Sequence, residues 1–210
     1  MRSLIVSIVF IFCLVQAHSQ KYRANINRLG IGADVTFLQL DSDQVNTATA
    51  LGYAGYLETR GEFNRSLDMI YSIAIFNHNL EVEEFASDQQ LETSLLGAKI
   101  KFLLAYRPFG TPILTLEAGP SATLNGEFKF DESQENLLVG SVNPVTVEEF
   151  KKTTSFNFGA VGGLSVGIDN FRIMAHYHYN FIDVLDGVDT LGNELEGKLS
   201  YVSAGLRLYL

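Results

Sequence analysis

Residues 198–210 read Lys198-Leu199-Ser200-Tyr201-Val202-Ser203-Ala204-Gly205-Leu206-Arg207-Leu208-Tyr209-Leu210. The stretch alternates strictly. Val202, Ala204, Leu206, Leu208 and Leu210 share one side; Tyr201, Ser203, Gly205, Arg207 and Tyr209 share the other. Period-two alternation places successive side chains on opposite faces of a strand. A strand with an uncharged apolar face and an interior charge fits the closing strand of a transmembrane β-barrel.

Seven further segments alternate in the same way, at about 29–40, 49–60, 64–78, 92–107, 111–124, 153–168 and 170–182. Most reach the ~9–11 residues that a tilted strand needs to cross a bilayer. Short connections rich in turn formers, Arg60-Gly61-Glu62-Phe63, Arg107-Pro108-Phe109-Gly110 and Asp169-Asn170, take turns with longer ones at 41–48, 79–91, 125–152 and 183–197. An even strand count with short turns on one rim and long loops on the other is the layout of bacterial outer-membrane barrels. The predicted fold is all-β: an eight-stranded antiparallel up-and-down transmembrane β-barrel over residues 29–210.

A soluble eight-stranded carrier of the lipocalin kind shows the same alternation with its apolar face turned inward. The composition of the polar face argues for the membrane barrel. It carries Gly30, Gly32, Asp34 and Thr36; Gly97, Lys99 and Lys101; Thr115, Glu117, Gly119, Ser121 and Thr123; Gly159, Gly163, Ser165 and Gly167; and Arg172, His176 and His178. Glycine weakens an exposed strand, whereas small residues interleaved with a few charges suit a narrow, filled lumen. The opposite face is free of charge along its centre and is edged by Phe37, Phe156, Phe158, Tyr179 and Phe181 at one end and Tyr106 and Phe171 at the other. Two aromatic girdles are what a lipid-facing surface requires.

The chain has 210 residues and a net charge of -9. With no basic run, it lacks the clustered cations that nucleic acid demands. Residues 1–19 read as a signal peptide: Arg2, then an apolar run from Leu4 to Val15, then Ala17-His18-Ser19 before Gln20. Residues 20–28 form a short leader with Lys21, Arg23 and Arg28. Cys13 lies inside the apolar run. The protein is therefore expected in the cell outer membrane after export and signal-peptide removal, without disulfides.

The first-strand Leu29-Gly30-Ile31-Gly32-Ala33-Asp34, the Leu116-Glu117-Ala118-Gly119-Pro120 segment and the closing Tyr201-Val202-Ser203-Ala204-Gly205-Leu206-Arg207-Leu208 resemble the outer-membrane β-barrel domain family of Bacteroidota, which includes PorT-like proteins. That resemblance implies a small barrel of the OmpA and OmpX kind. PorT-like members are associated with type IX secretion. Outer-membrane barrels usually end in Phe; this chain departs from that pattern at Tyr209-Leu210.

For the lumen, the near-even balance of Asp34, Glu58, Asp68 and Glu117 against Lys99, Lys101, Arg172 and Arg207, with Arg60 near a rim, points to a structural ion-pair network. Counting from the turns puts Lys101 level with Asp68 and Glu117, and Arg207 near Asp34 across the closing seam. Eight strands leave no wide water channel. His176-Tyr177-His178 invites comparison with a metal site or a lipid-modifying enzyme, but two lumen-facing histidines without a third ligand or a serine in pattern read better as polar filling. No catalytic residue, metal ligand or cofactor is expected. The acidic loops and the apolar Leu137, Leu138, Val139, Val142 and Val145 of the 125–152 loop mark the candidate partner surface. Expected partners are outer-membrane lipid and lipopolysaccharide, the barrel assembly machinery, and a protein at that loop.

Overall fold

The computed structural model describes residues 27–87, 89–141, 144–185, 189–190 and 193–210. The signal segment 1–19 with Cys13, the leader up to residue 26, Asp88, Val142, Asp186 and Val188 lie outside the described residues.

Eight long strands form the barrel: β1 (Asn27–Asp41), β2 (Leu51–Asn64), β3 (Leu67–Glu83), β4 (Gln90–Tyr106), β5 (Leu114–Lys129), β6 (Phe156–Gly167), β7 (Phe171–Asn180) and β8 (Lys198–Tyr209). Each is antiparallel to the strands before and after it, and β8 returns to β1 with Gly30 opposite Tyr209 and Asp41 opposite Lys198. The seam ends in a hydrogen bond from the Leu210 N–H to the Leu29 carbonyl at 2.9 Å. Closure leaves no long strand with an unpaired edge.

The alternation sets which side faces out. Leu29, Ile31 and Phe37 on β1, Tyr71, Ile73 and Ile75 on β3, Ile100, Phe102 and Leu104 on β4, and Val202, Leu206 and Leu208 on β8 are all exposed, Ile75 to 66%. Most of their neighbours one residue away are buried. This continuous apolar exterior far exceeds the few hundred Å² that a water-soluble monomer tolerates. A soluble carrier would carry the reverse pattern, so that reading is set aside. Tyr179 and Phe181 pack at 5.7 Å and Phe158 and Phe181 at 6.0 Å between ring centroids, building part of the expected long-loop girdle.

Near the long-loop end the apolar phase inverts. On β3 the outward series Tyr71, Ile73, Ile75 gives way to Asn77, while the inward series Ser72, Ala74, Phe76, His78 gives way to Leu80 and Val82. The same inversion brings Leu38 and Leu40 of β1, Leu91 and Leu95 of β4 and Leu199 of β8 inward. Outside the lipid layer water lies around the strands, so the hydrophobic effect favours apolar-in again.

This second core explains most boundary differences. β3 runs to Glu83 and β4 starts at Gln90, so the expected 79–91 loop shrinks to residues 84–89. β5 continues to Lys129. At the other rim Gly61, Glu62 and Phe63 belong to β2, and the turn sits at Arg65-Ser66 beyond a register shift between Glu62 and Asn64. The connection expected at 107–110 extends through Ile113.

The 130–155 loop folds back over the barrel. It forms a 3-10 turn (Glu132–Gln134), a small hairpin pairing Leu138–Val139 with Val145–Thr146, and one helical turn (Val147–Phe150) capped by the Thr146 hydroxyl. Val139, Val147 and Phe150 are fully buried against Leu80, Val82, Leu95, Phe128, Val184 and Leu185. Phe150 stacks on Phe128 at 5.5 Å. The long-loop mouth is thereby closed by an apolar cap.

Candidate functional site

The lumen concentrates the buried charge of the described residues. Asp34, Glu58, Arg60, Asp68, Lys99, Lys101, Glu117, Arg172 and Arg207 all point inward and are buried. Strand alternation puts each there: Lys99 and Lys101 share the inner face of β4, as do Thr115 and Glu117 on β5.

Glu117 is the hub. Arg207 Nη1 reaches its two oxygens at 2.8 and 3.0 Å, and His176 Nε2 lies 2.8 Å from Oε2. The hydroxyls of Ser165 and Thr115 donate to Oε1 at 2.6 and 3.1 Å, and Arg60 Nη1 stands 3.6 Å away. Arg172 joins from the far side of the same hydroxyls, giving Nε to Ser165 at 3.0 Å and Nη2 to Thr115 at 3.2 Å. A buried carboxylate is costly unless cations and donors surround it; Glu117 has both.

Two satellites flank the hub. Glu58 takes the Tyr209 hydroxyl and lies 3.5 Å from Arg207 Nε. Asp68 takes Arg60 Nε at 2.8 Å and is clamped by Arg107. Close packing comes from glycines. A Cβ on Gly163 would stand 2.1 Å from the Ala175 carbonyl oxygen and 2.6 Å from the His176 ring. One on Gly205 would stand 2.1 Å from the Asp34 carboxylate.

Two expected pairings are corrected. Lys101 does not sit level with Asp68 and Glu117; Ala105 is opposite both, while Lys101 is opposite Ser72 and Ser121. The connections on both sides of β4 differ in length from those counted, and each residue added to a connection slides the register. Arg207 lies opposite Gly32, and Asp34 opposite Gly205; its ion pairs go to Glu117 and Glu58 instead of Asp34. A longer side chain satisfied across the lumen outweighs proximity along the seam.

The candidate partner patch is also corrected. Val139 and Val145 are buried within the cap; Leu137 packs against it and Leu138 alone of the described patch residues is exposed. Their apolar surface is spent on sealing the barrel.

Sequence reading missed several members of the site. Arg107, taken as a turn residue, reaches Asp68 from the short-turn rim. Tyr56 lines the lumen beside Tyr201, which the alternation of the closing strand already placed on the inner side, and His78 shares a hydrogen bond of 2.8 Å with the Thr36 hydroxyl. His78 shares the parity of Asp68, and that was the available signal. His178 meets Ser203 at 3.1 Å and stacks on Tyr201 at 4.0 Å. His176 and His178 therefore serve different partners, with ring centroids 6.0 Å apart.

At the short-turn mouth, Arg28 pairs with Asp169 at 2.9 Å. The hydrogen bond from Arg28 holds the Asp169 carboxyl below the usual carboxylate range. In the long loop, the Ser133 N–H and hydroxyl do the same for Asp131.

No protein-family model matches the sequence, and no curated protein does. Solved structures match the fold. Neisserial surface protein A superposes with a TM-score of 0.51 at 16% identity, over 86% of this chain and 96% of that one. Ail, the attachment invasion locus protein of Yersinia pestis, crystallised with the heparin analogue sucrose octasulfate, gives a TM-score of 0.51 at 16% identity, over 90% of this chain and 100% of that one. The likeness extends to the whole barrel and shows a shared fold.

Proposed function

We propose that this protein is an integral outer-membrane barrel, exported by its amino-terminal signal segment, that works as a structural or interaction module. The observation that carries this reading is the combination of an apolar exterior with a closed interior. Lipid faces the belt; the lumen is locked by the Glu117 hub and sealed above by the cap. Among the described residues, the lumen-facing hydroxyls of Ser72, Ser121, Thr123 and Ser165 are buried.

Interaction then falls to the outer rim. Glu132, Glu148 and Glu149 are exposed on the long loop, with Asp41, Asp43 and Glu92 on neighbouring connections and strand ends. An acidic rim favours cationic partners and divalent bridges to lipopolysaccharide, and disfavours the sulfated ligand that Ail holds. The kinship with Bacteroidota PorT-like barrels belongs to this reading, as do lipid, lipopolysaccharide and the assembly machinery as partners.

Cell fractionation with heat-modifiable gel mobility tests it. Recovery in the outer-membrane fraction, as a band that shifts on boiling, is the expected result. Liposomes carrying the folded protein should stay impermeable to small sugars; sugar flux would overturn the closed-lumen reading.

A further inference from the structure

Among the described lumen cations, Lys99, Lys101 and Arg172 form no ion pair with a carboxylate; Arg172 stands in the field of Glu117, and Lys99 has no acid near it. Three lumen acids are held in ion pairs elsewhere: Glu117 with Arg207 and Arg60, Glu58 with Arg207, and Asp68 with Arg60 and Arg107. The fourth, Asp34, makes no ion pair and lies in the field of Lys101 and Arg207. Lys101 sits in the field of Asp34, Glu58 and Glu117. Lys99 faces Lys101, His78 and His178, with no acid among the charged groups acting on it. Its ammonium donates to the Tyr201 hydroxyl at 2.7 Å, and that neutral oxygen supplies no counter-charge.

The groups around it lack partners too. Thr123, opposite Lys99 on β5, has a buried hydroxyl without a hydrogen-bond partner among the described residues. Asn125, two residues on along the same face, has a free buried Nδ2, and Ser121 on the other side has a free hydroxyl. All are at least nine-tenths buried. Unpartnered buried donors beside an uncompensated ammonium are costly, because each loses water without replacement.

We infer that the upper lumen holds a small monovalent anion of the halide class, bound by the Lys99 ammonium with the Thr123 hydroxyl and the Asn125 amide. These groups lie beneath the cap, since Tyr201 both accepts the Lys99 hydrogen bond and packs in the apolar cluster. The anion completes the charge balance of the lumen on the side that the Glu117 hub does not reach. This assignment does not depend on the cellular role and can fail while that reading stands.

The full chain refolded into detergent micelles in sodium chloride, bromide or gluconate of equal ionic strength provides the test. Refolding in each salt removes any barrier to entry. The unfolding midpoint should be several degrees higher in chloride and bromide than in bulky gluconate, because a ligand bound only to the native state stabilises it. Lys99→Met should erase that difference and Thr123→Val should reduce it, with heat-modifiable mobility confirming that both fold. Equal midpoints in the three salts, or a difference that persists in Lys99→Met, overturn the site. If Lys99→Met fails to fold, anomalous scattering from bromide-grown crystals of the unaltered protein decides. A bromide peak within hydrogen-bond distance of Lys99 Nζ supports the site, and its absence overturns it.

Discussion

Arg207 of β8 and Glu117 of β5 bind each other across the lumen through two hydrogen bonds of 2.8 and 3.0 Å, although three places around the barrel separate their strands. Neither side chain is exposed to solvent. The pair ties together walls of the barrel that share no hydrogen bonds.

Breaking one half of this pair should cost more than removing both. Glu117→Gln takes from Arg207 its nearest carboxylate and leaves it only Glu58 at 3.5 Å, and loss of one partner of a buried pair typically costs about 3–5 kcal/mol. Replacing both ends, as Glu117→Leu with Arg207→Met, should recover part of that loss. Urea unfolding in detergent measures the cycle; singles indistinguishable from the unaltered protein would remove Glu117 from the centre of the network.

The cap and the membrane belt should respond separately. Phe150→Ala removes a buried aromatic that stacks on Phe128, a change worth roughly 3–5 kcal/mol in a core. Hydrogen exchange should then speed up at Val139, Val147 and Val184, while amides of the belt, such as those of Ile73 and Ile100, keep their protection. Uniform acceleration would mean that the cap and the barrel unfold as one unit.

Position on the outer face should decide tolerance to charge. Ile100→Arg places a cation in the middle of the apolar exterior of β4, where it costs about 2–4 kcal/mol in lipid. Glu92→Arg lies on the same face of the same strand beyond the phase inversion and should be tolerated. Yield of heat-modifiable protein from membranes compares them; equal yields would misplace the belt.

Asp169 supplies a pH dependence of known sign. Its folded-state carboxyl is depressed by the Arg28 hydrogen bond, so its contribution is present above the ordinary value of about 3.9 and is lost as pH falls through the lower folded value. The pair is exposed, so the stability effect is small. NMR titration of Asp169 should show its midpoint rise in Arg28→Ala; an unmoved midpoint would assign the depression to another cause.

The phase inversion shows how much the sequence holds. Ile73 and Ile75 followed by Leu80 and Val82 change parity within one strand, and that change marks where lipid ends. It was readable in residues 77–83, where Asn77, Asn79, Glu81 and Glu83 alternate with His78, Leu80 and Val82. Reading residues 79–91 as a loop hid the upper core and with it the cap.

Alternation alone determined the strands, their inner and outer faces, and the identity of the buried charges, because a period of two is a local property of the extended backbone. Which charges meet was decided only by the tertiary structure. Lys101 faces Ser72 and Ser121, and Arg207 reaches Glu117, because connection lengths set the register and barrel closure brings together strands that share no hydrogen bonds. The fate of Val139 and Val145 was equally beyond local pattern. An apolar loop segment has the same sequence whether it binds a partner or folds into its own barrel, and only the inward-facing Leu80, Val82 and Leu95 beneath it supply the surface that buries it.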